Sequence, residues 1–131
     1  MVTLQDVDAW ARELPEVTIG ERFGHRTWLV ADKGFAWERP FSKADIKRYG
    51  TTRPPEGPIV ALRVADLTEK EAVLATASSA VFTIPHFNGY AAVLVQLDHA
   101  EEAELRELLV DAWLACAPPR LADAFLKSRT Q

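Results

Sequence analysis

Val81-Phe82-Thr83-Ile84-Pro85-His86-Phe87-Asn88-Gly89-Tyr90-Ala91-Ala92-Val93-Leu94-Val95-Gln96-Leu97-Asp98 is the stretch that decides the fold. β-branched and apolar residues dominate Ala80 to Ile84 and Ala91 to Leu97, which predicts two strands. Between them, Pro85 to Tyr90 is a short connection in which Asn88-Gly89 supplies the turn chemistry. The same turn carries His86 and two aromatic rings, so it is a candidate for binding as well as for folding.

Toward the C-terminus, Asp98 with Glu101 is read as the cap of the strongest helix. Within it Leu105, Leu108, Leu109, Ala112, Trp113 and Cys116 recur at helical spacing and predict a core-facing stripe. Pro118-Pro119 ends that helix, and Pro119 at a first helical position starts a terminal one presenting Leu121, Ala122 and Phe125. Toward the N-terminus, Thr68-Glu69-Lys70-Glu71 reads as a capping box for a short helix to about Ala77. Ile59 to Val64 alternates as a half-buried strand, with Val60, Leu62 and Val64 on one face and Arg63 on the other.

Arg39 to Pro58 is rich in Pro, Gly and Thr and reads as an exposed basic excursion, with a short helix over Lys43 to Tyr49 capped by Ser42 and Asp45. Thr27 to Ala31 and Phe35 to Glu38 flank Asp32-Lys33-Gly34, a first hairpin with its glycine at the turn. Thr3 with Asp6 caps a first helix carrying Leu4, Val7, Trp10, Ala11 and Leu14 on one face, closed by Pro15. The expected architecture is α+β: one domain over residues 1–131, an antiparallel sheet of about five strands with helices packed on one face.

A chain of 131 residues can bury roughly two thirds of its unfolded surface without staples. With 48% hydrophobic and 26% charged residues, disordered and fibrous classes are excluded. No apolar run approaches the roughly 18 residues of a membrane span, and the first ten residues lack the apolar centre of a signal peptide, so a cytoplasmic location is the expectation, with the oligomeric state left open and a monomer admissible. Cys116 is the only cysteine, which excludes an internal disulfide and any multi-cysteine metal site. The net charge of −4 is unevenly spread: Arg22 to Arg53 holds eight basic residues against three acids, a balance of +5, leaving −9 on the rest.

Catalytic signatures are missing. His25, His86 and His99 show no metal-ligand spacing, no Gly-x-Ser-x-Gly elbow occurs, and the six glycines form no phosphate loop. No enzyme activity, cofactor or bound metal is therefore expected. The plainer account of His25 and His86 is a hydrogen-bonded structural histidine, and that of Trp28 and Trp37 is hairpin core. Glu101, Glu102, Glu104, Glu107 and Asp111 make an acidic helix side, which leaves iron handling as a minor alternative to an ordinary solvated face.

Five strings in order carry a family resemblance: Gly24-His25-Arg26-Thr27-Trp28, Gly34-Phe35-Ala36-Trp37-Glu38, Pro85 to Tyr90 with Val93-Leu94-Val95, Leu105 to Leu109 with Asp111-Ala112-Trp113, and Ala117-Pro118-Pro119-Arg120-Leu121. Together, from about Leu14 to Leu121, they resemble the MmcQ/YjbR-like family. The resemblance implies a frataxin-like (CyaY-like) two-layer sandwich and a double-wing mode of DNA binding. The wings would fall on the hairpin around Asp32-Lys33-Gly34 and on the turn His86 to Tyr90. The basic segment Arg39 to Arg53 looks longer than the connection in many relatives, and the acidic C-terminal half would repel a phosphate backbone.

Two expectations follow. In the first, Arg26, Lys33, Arg39, Lys43, Lys47, Arg48 and Arg53 meet the phosphates of DNA. In the alternative, His25, Trp28, Trp37, His86 and Tyr90 line a pocket for a small ligand or a protein partner.

Overall fold

The computed structural model describes residues 2–129. Helix α1 (Leu4–Arg12) begins at the predicted reciprocal cap, Thr3 accepting from the Asp6 amide while the Asp6 carboxylate accepts from the Thr3 amide. Six strands follow in one sheet: β1 (Val17–Arg22), β2 (His25–Val30), β3 (Lys33–Glu38), β4 (Ile59–Arg63), β5 (Val81–Phe82) and β6 (Ala92–Gln96). Their order is β1-β2-β3-β4-β6-β5, and every neighbouring pair is antiparallel. The remaining helices are α2 (Lys43–Arg48), α3 (Leu67–Thr76), α4 (Glu102–Cys116) and α5 (Pro119–Arg129).

Strand β1 is the element absent from the sequence expectation. It forms a hairpin with β2 across Phe23-Gly24, whose φ values of 54° and 79° make the mirror-image turn that suits twisted strands. The second hairpin also turns differently from expectation. Its two central residues are Ala31 and Asp32, at φ 50° and 63°, and Gly34 instead lies within β3. Gly34 is required by packing: a Cβ there would stand 2.9 Å from Thr27 Cγ2, which is buried. The β2–β3 register shifts between Trp28 and Leu29, and the extra residue lets both Phe35 and Ala36 bury completely.

The main core lies on the face covered by α1 and α4. Trp28, Val30, Val60, Leu62, Val93 and Val95 meet Val7, Ala11, Leu105, Leu109, Ala112 and Trp113 there. Both large indoles find acceptors, Trp28 at the Asp8 carboxylate (2.9 Å) and Trp113 at the Pro15 carbonyl (3.1 Å). Helix α5 docks through Leu121 and through Phe125, whose ring lies 5.0 Å from that of Trp113. Cys116 is buried at the end of the α4 stripe, and burial pushes its thiol pKa up.

Two helix starts depart from expectation. Asp66, not Thr68, caps α3 by accepting from the Glu69 amide, and α4 starts after Glu101 with no side-chain cap, Asp98 being taken into a short 3-10 turn. The opposite sheet face is not bare either. Ile59, Ala61, Ala92 and Leu94 pack there with Ile84 and Phe87, and Phe41 of the basic excursion lies against them.

The non-glycine mirror turn is a stored cost, since an L-residue in the left-handed region is disfavoured. Replacing Ala31-Asp32 by Asn-Gly is expected to raise the unfolding free energy by about 0.5–1 kcal/mol, measured by urea denaturation. An unchanged or lower midpoint would show that the turn is not strained.

Candidate functional site

The second sheet face is covered only in part, and what remains is a cleft of about 920 Å³. One wall is the excursion after β3: Arg39, Phe41, Ser42, Asp45 and Arg48. The other is the turn after β5, with His86 and Phe87, and with Tyr90 at its foot joining the floor beside Trp37, while the sheet contributes His25, Thr27, Trp37 and Arg63 to that floor, and the β1–β2 turn adds Arg22 and Phe23 at the rim. Four arginines against one aspartate give this lining a formal +3, the histidines left out of the count. The cleft is thus cationic in a chain whose net charge is −4.

Each wall has its own fastening. Ser42 and Asp45 form a second reciprocal cap at α2, and Asp45, only 3% exposed, also accepts from Arg39 Nη1 (3.0 Å) and pairs with Arg48 (3.5 Å). Burial alone would raise the Asp45 pKa, but the Ser42 backbone bond, the Arg39 and Ser42 side-chain bonds and the Arg39 charge outweigh it and lower it. The other wall hangs on Lys70. Its buried ammonium reaches from α3 to donate to the carbonyls of Phe87 (2.7 Å) and Tyr90 (2.9 Å). Desolvation lowers the Lys70 pKa. The turn itself closes with Tyr90 N–H donating to the Phe87 carbonyl (3.0 Å) over Gly89 at φ 76°.

Aromatic rings meet along the floor. Tyr90 lies 6.3 Å from Trp37 and packs edge-on to Phe87 at 5.5 Å, and Arg39 stands over the Phe87 ring at 5.5 Å. Arg63 stands over Tyr90 at 5.4 Å. Its guanidinium differs from the others: among the described residues it has no carboxylate within ion-pair distance and no hydrogen-bond acceptor, and its Nε is buried without a partner.

Several candidates from the sequence come together here and others do not. His25, Trp37, His86 and Tyr90 share the cleft with Arg39 and Arg48, so the two sequence-based residue sets overlap in one place. Trp28 is corrected to the main core: it points to the opposite face and is 0% exposed. Arg26 lies outside the cleft lining, beside Trp28 and paired with Glu38, and Arg53 pairs with Glu56. Lys33, Lys43 and Lys47 are exposed outside the cleft lining.

Neither His25 nor His86 makes a side-chain hydrogen bond among the described residues, so the structural-histidine account has no partner to name. Arg22, Phe23 and Arg63 are cleft residues that the site reading of the sequence missed. On the acidic side of α4, Glu104 accepts from Ser78 and Glu102 pairs with Arg106, and no group of three potential ligand side chains for an ion occurs among the described residues. No helix among those residues is long and apolar enough to cross a membrane.

Two measurements check these fastenings. Lys70→Met should cost about 1–3 kcal/mol and speed amide exchange at Asn88 and Tyr90; unchanged exchange would mean that the turn holds itself. Because the folded pKa of Asp45 is lowered, its contribution to stability is complete above the unfolded aspartate range and is lost as pH falls through the folded value. Asp45→Asn should therefore flatten the acid limb of a stability-against-pH curve below about pH 4, and a variant with the parent slope would exclude this carboxylate as its source.

The YjbR family model matches residues 12–115, a span that includes every cleft residue. Uncharacterized proteins of Mycobacterium bovis (Mb2600) and Mycobacterium tuberculosis (Rv2570) are each 43% identical over 129 residues, covering 96% of this chain and 97% of theirs. The crystal structure of Deinococcus radiodurans protein DR2400, which carries the domain model DUF419, superposes with a TM-score of 0.62 at 20% identity, over 98% of this chain and 88% of that one. A Pseudomonas syringae protein of known structure gives 0.62 at 14% identity, over 84% and 95%. Fold, motif order and family model agree, and the chain belongs to the YjbR family.

Proposed function

We propose that this chain is a non-enzymatic cytoplasmic binding module whose cleft takes a nucleotide unit, with a phosphate at Arg63 and a base against the aromatic floor. The observation that carries the reading is the Arg63 guanidinium over Tyr90 in a cationic cleft, its Nε buried with no acceptor among the described residues. A buried donor without an acceptor costs free energy, and an anionic oxygen supplies what it lacks. Rings beside a cationic groove are the combination that holds single-stranded nucleic acid, because any base can stack while the groove follows the backbone.

The nucleotide has two sources, a free mononucleotide or a strand of DNA. Lys43 and Lys47 favour the strand: they are exposed on the same short helix as Arg48, and among the described residues they have no carboxylate partner. A duplex is disfavoured by the balance of −9 outside Arg22 to Arg53 and by a recess sized for single units.

Fluorescence anisotropy with labelled single-stranded and duplex DNA across a salt series, beside calorimetry with dAMP, separates the sources. Single-stranded DNA is expected to bind more tightly than duplex, with a salt slope of about −0.7 per phosphate contacted. Arg63→Gln is expected to weaken binding at least about ten-fold. Binding of dAMP without any gain from a strand would assign the free nucleotide. Absence of binding to all three probes at low salt would remove the reading.

A further inference from the structure

Phe23 is the most anomalous side chain of the described residues. It is 99% exposed, although a phenylalanine ring is among the groups most favourably removed from water. Its backbone is at φ 54°, in a two-residue turn where asparagine or glycine is the ordinary choice. Strain and exposure thus fall on one residue, and no contact among the described residues offsets either. The turn does not drift freely, since six register pairs tie β1 to β2 from Val17 to Arg22, and Arg22 Nη2 donates to the Asp32 carbonyl at 2.8 Å.

The position of the ring supplies the reason. Phe23 stands at the rim of the same cleft whose floor presents Trp37 and Tyr90, the latter 40% exposed. The recess therefore has aromatic surface at its floor and its rim, with the cation Arg63 beside the floor ring.

We propose that Phe23 is the upper jaw of a ring clamp: a planar heterocycle lies between Phe23 and the Tyr90–Trp37 floor while its phosphate meets Arg63. The inference rests on the nucleotide reading and deepens it, because it makes the base, and not the sugar phosphate alone, a recognised part of the ligand. Two stacked faces exclude water from the ring and leave the anionic end to set the depth of entry. Clamp closure needs only the burial of one ring that water now surrounds.

The test uses the whole chain and two probes, dAMP and the ring-free 2-deoxyribose 5-phosphate, with three proteins: the parent, Phe23→Gly and Phe23→Leu. Glycine suits the left-handed backbone, so Phe23→Gly is expected to fold with an equal or higher melting temperature. It should bind dAMP roughly ten-fold more weakly, as expected for the loss of one base–aromatic stack, and bind the ring-free phosphate as the parent does. Phe23→Leu, which keeps apolar bulk but no π face, should lie between them.

Equal dAMP affinity in parent and Phe23→Gly overturns the clamp and leaves the nucleotide reading standing. Equal loss toward both probes overturns it too, since Phe23 would then act on the cleft as a whole. If the parent binds neither probe, the clamp fails, and the underlying reading fails with it only when DNA is not bound either. Concentration-dependent dimerisation of the parent that Phe23→Gly abolishes, with dAMP affinity unchanged, would assign the ring to self-association and overturn the clamp.

Discussion

Strand β4 lies between β3 and β6 with both faces withdrawn from water, and the rest of the molecule is arranged around that constraint. Val60 and Leu62 need the helix layer, which α4 supplies by lying across β3 and β4. Ile59 and Ala61 need a second cover, and no long helix is available for them. The 3-10 turn at Pro85–Phe87 and the excursion carrying Phe41 fill the role. These irregular covers leave a gap between them, and Arg63, next in the same alternation, projects into it. The cleft is therefore the unfilled remainder of a two-sided core.

Irregular covers need fastenings because they lack a ladder of their own. The 39–58 segment has one buried carboxylate, Asp45, that caps α2 and gathers two arginines. The 85–90 turn has one buried ammonium, Lys70, that gathers two carbonyls. The two devices have opposite charge and the same physical form: a single desolvated ion over-determined by several hydrogen bonds. Each fixes one cleft wall, Asp45 from within its lining and Lys70 from behind it.

The helix layer was legible because its signals are periodic and local. Leu105, Leu109, Ala112, Trp113 and Cys116 are buried as their spacing requires, and Thr3 and Ser42 cap as their Asp partners imply. Strand β1 was not legible: Val-Thr-Ile-Gly-Glu-Arg shows four exposed residues of six, as an edge strand covered on one side can. The tryptophans separate because alternation through the β2–β3 bulge sends Trp28 to the core and Trp37 to the cleft, and a bulge has no reliable sequence sign. Alternation places Arg63 on the correct face of its strand, but nothing local in the sequence shows that irregular segments half-cover that face. Lys70 carried no signal at all, since a lysine in the first turns of a helix is ordinary until a distant turn, seventeen residues on, offers it two carbonyls.

Cys116 closes the helix stripe against the core, 6% exposed, with its thiol held in the less reactive protonated form by burial. As the only cysteine, it makes the protein its own reporter of opening. A thiol reagent reaches it when α4 and α5 part from the sheet, so the rate of labelling in native buffer records how often the helix layer breathes, while ligand events across the sheet leave that clock untouched unless they are coupled to it.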